Sequence, residues 1–194
     1  MSAHHYFDPA PSGRSAPRVI ELALPDVTMD LATDRGVFSA ERIDPGTKLL
    51  LLEAPPPPLT GEVLDLGCGY GPIAATLARR APTTHVWAID INARALALAS
   101  ANTASLANVT VSDPDGVPPA TRFAALYSNP PVRVGRAALH DLLERWVPCA
   151  AVSYLVVNKH LGADSLARWM SDERGWAVAR LASRVAYRIL EVRP

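Results

Sequence analysis

Only two cysteines are present, Cys68 and Cys149, and neither has a second Cys or a His at metal-ligand spacing. That excludes a disulfide framework and gives no sign of a structural or catalytic metal; both thiols are expected to be reduced and structural. Net charge is also missing, because 19 Lys and Arg balance 19 Asp and Glu, so no global basic field announces a polyanionic partner. No apolar run approaches the roughly 20 residues of a bilayer span, and the N-terminus has no basic segment followed by an apolar one. No membrane association is therefore expected, and a cytoplasmic location follows. There is no internal repeat.

What is present is a chain of 194 residues, 49% of them hydrophobic and 20% charged, the balance of a folded domain with one core. Charge is uneven along it. Residues 131–194 hold ten Lys and Arg against six Asp and Glu. Arg supplies 17 of the 19 cations, and its planar fork suits phosphate contact.

Residues 1–17 show no sustained periodicity and read as an arm with an aromatic pair, Tyr6 and Phe7. Val19 to Leu31 alternates loosely around Pro25 and Asp26, which predicts a β-hairpin. Residues 33–39, TDRGVFS, form a loop carrying Phe38. Residues 44–53 start with Asp-Pro-Gly and end in an apolar run whose element type periodicity does not settle. The stiff stretch Pro55 to Pro58 separates an N-terminal cap, residues 1–54, from a main domain, residues 55–194. In that domain, strands are expected at 62–66, 85–89, 109–112, 124–128 and 152–157. Helices are expected at 72–80, 94–104 and 137–146. Such alternation implies βαβ units and an α/β fold with a parallel sheet covered on both faces. Trp176 to Val192 predicts two further strands around Ala182 and Ser183, an antiparallel edge.

The segment VLDLGCGYGPIAATLARR sets a strand, a glycine-rich turn and a helix in succession. Gly67, Gly69 and Gly71 allow a tight turn and close backbone approach to a ligand, and Pro72 suits a first helical turn. A dinucleotide loop spaces its glycines GxGxxG and sets a pyrophosphate on the helix N-terminus. Here the spacing is GxGxG and the loop follows Asp65, whose charge would repel two phosphates but suits an ammonium or a sulfonium. S-adenosyl-L-methionine is favoured over a nicotinamide dinucleotide on that ground. Asp90, 23 residues after Gly67, stands at the end of the second strand, where a carboxylate can accept ribose hydroxyls. Asn92 and Asp113 fall near the ends of strands two and three. A helix cap is the plainer role for Asp90, and a turn in SDPDG for Asp113.

The fourth strand ends in SNPP, so Asn129, Pro130 and Pro131 emerge on the edge where open α/β sheets bind ligands. Two prolines fix the backbone there. The Asn129 side-chain oxygen and the Pro130 carbonyl then make a pair of acceptors for a planar NH2 group, aiming its lone pair at a methyl carbon. A simple Asn-Pro turn is the alternative. Arg133 and Arg136 follow directly and are placed to contact a substrate phosphate or to stand solvated at a helix start.

Together DLGCGYG, AIDIN and SNPP resemble the motifs of class I S-adenosylmethionine-dependent methyltransferases that modify exocyclic amines or amides. With GVFS and VVNKHLGADSL, the chain from about Tyr6 onward resembles the "methyltransferase small" family, which includes ribosomal RNA guanine-N2 methyltransferases. The resemblance implies a Rossmann-like, mostly parallel seven-stranded sheet with an antiparallel C-terminal edge, helices on both faces and a small β-rich N-terminal addition. It implies a cofactor site of Asp65, Gly67, Cys68, Gly69 and Gly71 on the first loop. Asp90, Ile91, Asn92, Asp113 and Asn129 complete that site. Asn129, Pro130 and Pro131 become the catalytic motif, with Phe38, Val132, Arg133 and Arg136 toward the substrate. Ribosomal RNA or a ribosomal particle is the implied partner. The family often carries an aromatic where this chain has Val132, so stacking on a base falls to Phe38, Tyr70, Tyr6 or Phe7. Some relatives have a second, degenerate copy of the domain, for which this length leaves no room. A glutamine side-chain amide is the alternative substrate, and a cofactor-binding module without catalysis the alternative class.

Overall fold

The computed structural model describes residues 14–132, 134–184 and 186–194. Residues 1–13 of the arm, with Tyr6 and Phe7, and Arg133 lie outside them.

Two strands, β1 (Arg18–Ala23) and β2 (Thr28–Thr33), pair antiparallel as the expected hairpin. The ambiguous segment is a helix, α1 (Pro45–Glu53), with Asp44 as its N-cap and Pro45 at its first position. Asp44 accepts the Thr47 N–H, a start signal of N-cap acid followed by proline that agrees with the leucine run behind it, which is free of β-branched residues. The main domain then runs β3 (Glu62–Leu66), α2 (Pro72–Arg80), β4 (His85–Ile89), α3 (Ala93–Thr103), β5 (Val109–Ser112) and β6 (Ala125–Ser128). After these come α4 (Arg136–Trp146), β7 (Ser153–Asn158), the short α5 (Ala163–Arg168), β8 (Ala177–Arg184) and β9 (Tyr187–Arg193). The final turn falls beyond Arg184, a few residues later than the expected position at Ala182 and Ser183, where the pairing instead has a bulge between Arg180 and Ala182.

The seven strands of the main sheet are ordered β5-β4-β3-β6-β7-β9-β8. β3 pairs in parallel with both β4 and β6, so the chain reverses its direction of travel across the sheet between β3 and β6. At such a switch point the following loops diverge and leave a crevice at the strands' C-terminal ends. The last strands pair antiparallel, β7 with β9 and β9 with β8.

Side-chain alternation divides the core into two. Val63, Ala125, Tyr127, Tyr154 and Val156 point to the face that carries α1, α2, α3 and the hairpin. Leu64, Leu126, Leu155 and Val157 point to the face that carries α4 and α5. Leu22, Leu31, Leu50 and Leu51 of the N-terminal segment belong to the first of these cores. Arg80 of α2 reinforces the join: it bonds both carboxylate oxygens of Asp26 at 2.7 and 2.9 Å and the Leu51 carbonyl at 2.7 Å. The polyproline stretch is held in the same way, with Pro55 O accepting the buried Tyr127 hydroxyl at 2.9 Å.

Candidate functional site

The crevice at the switch point is a cavity walled by the loops after β3, β4 and β6, with Val37 and Phe38 from the loop after the hairpin, Asp44 and Thr47 from α1, and Tyr187 from β9. The β3 loop is tied to the neighbouring strand, because Gly67 N and Cys68 N both donate to Ile89 O at 2.9 Å. Gly67 and Gly69 have φ of +73° and +56°, and a Cβ at either would meet nothing within 4 Å. A side chain there would be strained and would project into open space beside the cavity, so the bare backbone leaves room for a ligand. Gly71 does a different job and is not on the wall: a Cβ there would come within 3.3 Å of Ala99 on α3.

Asp65 is fully buried beneath the loop and does not reach the cavity. Its Oδ2 accepts the Ala74 N–H at 2.8 Å, capping the first turn of α2, while its Oδ1 has no hydrogen-bond partner among the described residues. Burial pushes its pKa up to about 8, with the Asp90 charge adding and the Ala74 bond opposing. A cation bound beside the loop would favour the ionised form of this carboxyl. Unfolded, the group titrates at the ordinary 3.8. Between those values the folded protein holds a proton that the unfolded chain has released. Stability is therefore expected to fall as pH rises through this window, by up to about 1.4 kcal/mol per pH unit, and to level off above it. Asp65→Asn should flatten that slope in denaturant melts at pH 5, 6.5 and 8; equal slopes in the two proteins would remove Asp65 as the cause.

Asp90 closes the next side of the cavity. Its Oδ2 accepts Gly69 N and its Oδ1 accepts Asn92 N, both at 2.9 Å. These bonds fix the carboxylate and leave further lone pairs on both oxygens. Burial raises its pKa, against the pull of backbone N–H groups from Asn92, Gly69 and Ile91. Asn92 lines the wall as the N-cap of α3, accepting Arg94 N and Ala95 N. Its Nδ2 also donates to Gly36 O at 3.0 Å, which anchors the loop carrying Val37 and Phe38 over the site.

On the other side stand Asn129, Pro130, Pro131 and Val132. Asn129 Nδ2 donates to Asp44 Oδ1 at 2.8 Å and to Thr47 Oγ1 at 3.0 Å. A carboxylate only accepts, so the amide's nitrogen must face it, and both of its hydrogens are thereby used. The Asn129 side-chain oxygen, which makes no hydrogen bond among the described residues, is left as an acceptor. Pro130 O accepts Val132 N at 2.8 Å and so retains one lone pair. Ser128 Oγ binds Leu66 O at 2.7 Å, locking the ends of β6 and β3 together.

The structure thus brings Gly67, Cys68, Gly69, Asp90, Asn92, Phe38 and Asn129 to Val132 around one cavity. Phe38 is 41% exposed there. It does not bring Asp113, Ile91 or Arg136. Asp113 closes its own exposed turn, accepting Asp115 N and Gly116 N. Ile91 is 46% exposed and does not line the cavity. Arg136 opens α4 and lines a separate depression with His140 and Arg168. Sequence reasoning missed Asp44, Thr47, Asn158 and Tyr187. Asp44 and Thr47 had a signal in Asp-Pro-Gly-Thr, a helix start; Tyr187 had none, since it arrives through antiparallel pairing from the far end of the chain.

A crevice with hydroxyl acceptors on one wall, a bare glycine turn between, and an amide acceptor opposite suits a nucleoside linked to a cation, the arrangement of methyltransferases that use S-adenosylmethionine. The profile of the methyltransferase small domain matches residues 28–189, and the chain belongs to that family. Among curated proteins, it is 32% identical over 171 residues to the uncharacterized protein YbxB of Bacillus subtilis, covering 84% of this chain and 85% of that one. It is 38% identical over 152 residues to ribosomal RNA small subunit methyltransferase C of Shewanella oneidensis, covering 73% of this chain but 43% of the relative. Among solved structures, it is similar to a T. thermophilus 16S rRNA methyltransferase acting at the N2 of a guanine, solved with AdoMet and guanosine. That match has a TM-score of 0.75 and 24% identity, and covers 94% of this chain and 52% of the other. The protein is an S-adenosylmethionine-dependent methyltransferase. Among the described residues no helix is long and apolar enough to cross a membrane, and no cluster of His, Cys, Asp and Glu could hold a metal.

Proposed function

We propose that this enzyme methylates the exocyclic N2 amine of a guanine in ribosomal RNA, in the cytoplasm. The observation that carries the reading is the fixed orientation of Asn129, whose amide nitrogen is held by Asp44 and Thr47 while its oxygen is left to accept. The Shewanella relative is named for small-subunit ribosomal RNA, and the T. thermophilus protein for the N2 of a guanine in 16S rRNA.

S-adenosylmethionine supplies an electrophilic methyl group on a sulfonium. Gly67, Gly69 and Asp90 would hold it, the glycines through backbone and Asp90 by accepting ribose hydroxyls. The target amine is a weak nucleophile because its lone pair is delocalised into the ring. Asn129 Oδ1 and Pro130 O accept its two N–H groups, turn the lone pair toward the methyl carbon and stabilise the positive charge that grows on nitrogen. The extra proton on the methylated amine is then acidic enough to leave to water, so no strong base is needed. Phe38 and Tyr70 are the aromatic residues beside Tyr187 that line the cavity, and stacking on the base falls to one of them rather than to Val132. Reaching a paired base costs a few kcal/mol of unstacking, so a loop or transiently open guanine is the favoured target.

Incubation with labelled S-adenosylmethionine and either unmodified ribosomal particles or protein extract tests this. Label is expected in N2-methylguanosine, with transfer weakening as salt rises. Label in methylglutamine with none in RNA nucleosides would reject it.

A further inference from the structure

We propose that Asp44 is a specificity-determining residue: its Oδ2 accepts the ring N1–H that adjoins the target amine and so selects guanine over other amine-bearing groups. The inference rests on the guanine-N2 reading above and goes past it by naming the group that reads the base.

Asp44 lines the cavity, and both bonds recorded for its side chain converge on one oxygen. Oδ1 accepts Thr47 N at 3.0 Å and Asn129 Nδ2 at 2.8 Å. Oδ2 takes part in no hydrogen bond among the described residues. Those two bonds hold the carboxylate in place. Gly46 has no room for a side chain: a Cβ there would come within 2.7 Å of the Tyr187 ring and 2.9 Å of Asp44 Oδ1. The Asp44 charge is felt across the cavity. After burial, which is the larger cause, it raises the pKa of Tyr70 on the glycine loop and of Tyr187 on β9.

Asn129 Nδ2 bonds Asp44 directly and both residues line the cavity, so we take the remaining oxygen of each as one pair of acceptors for the substrate. A substrate that satisfies both must present an NH2 beside a second donor. Guanine does, through N2–H and N1–H. Adenine and cytosine place an acceptor ring nitrogen beside their exocyclic amine, and a glutamine amide places its own carbonyl there. Each of these would set a lone pair against the carboxylate. A site whose buried acceptor is left unpaired rejects the wrong ligand far more strongly than a mismatch of shape does.

Guanosine and 2-aminopurine riboside separate these cases, since both carry the C2 amine but the second has no N1–H. We expect the full chain loaded with S-adenosylhomocysteine, titrated with each nucleoside by ligand-observed NMR, to bind guanosine at least about 10-fold more tightly. In Asp44→Asn the amide oxygen can keep the bonds to Thr47 and Asn129 while an NH2 replaces Oδ2. That variant should lose or reverse the preference, which also isolates N1 from the missing O6 of 2-aminopurine. Equal affinities in the wild type, binding of neither nucleoside, or an unchanged preference in Asp44→Asn would overturn the assignment. The wild-type ratio needs no variant, so the test stands even if Asp44→Asn does not fold. Label at guanine N2 in RNA together with an unchanged nucleoside ratio would reject the role of Asp44 alone. Absence of label from guanine would reject the proposed function itself.

Discussion

Asn129→Ala should lower turnover by roughly 100-fold or more while leaving S-adenosylmethionine affinity nearly intact, the scale on which a single positioned polar group acts at a transition state. The reason lies in where the side chain sits. Asn129 stands at the end of β6, across the switch point from the glycine turn, and Asp44 and Thr47 hold its nitrogen so that the oxygen alone is available. Truncation removes the acceptor that aligns the amine but touches nothing on the Asp90 wall. It also leaves Asp44 short of one donor, a modest cost in stability for a half-exposed group. Single-turnover rates with saturating RNA, read beside calorimetric cofactor affinity, separate the two effects. Normal turnover in a folded Asn129→Ala would refute the mechanism.

Asp90→Ala should show the complementary pattern, with S-adenosylmethionine affinity weakened by on the order of 1.5 to 3 kcal/mol, roughly 10- to 150-fold in Kd. The carboxylate does two things at once. It anchors Gly69 N and Asn92 N, and its remaining lone pairs face the cavity. Its loss therefore takes away ribose acceptors and loosens the turn that the cofactor lies against. Calorimetry at fixed pH measures it, with circular dichroism to verify the fold. An unchanged affinity would place the ribose on other residues.

Much of this architecture was legible in the sequence. The strands 62–66, 85–89 and 109–112 and the helix 72–80 agree with those observed, because short apolar runs punctuated by Gly, Pro and Asn leave little choice of element. The placement of Gly67, Gly69 and Asp90 on the cavity was legible for the same reason, since it follows from backbone geometry and strand ends that are local along the chain. The element type of residues 44–53 was not, since an apolar run of that length packs equally well as strand or helix until the Asp44 cap is weighed. Asp65 was read as facing the ligand, yet strand alternation and the cap on Ala74 bury it under the loop. Asp113 followed a strand end like Asp90 but uses its Oδ1 to close its own exposed turn and does not line the cavity.

By itself the sequence determined the α/β class, the order of the elements and the glycine turn between its strand and helix, because each depends on residues within one turn or one strand of each other. Only the tertiary structure decided the wall opposite that turn. Asp44 and Asn129 are 85 residues apart, yet one hydrogen bond joins them. Tyr187 joins them only because β9 runs antiparallel to β7 and brings it opposite Asn158. Contacts at such separations carry no local signature, since they arise from the way α1 and the edge strand pack onto a sheet whose own pattern says nothing of what covers it.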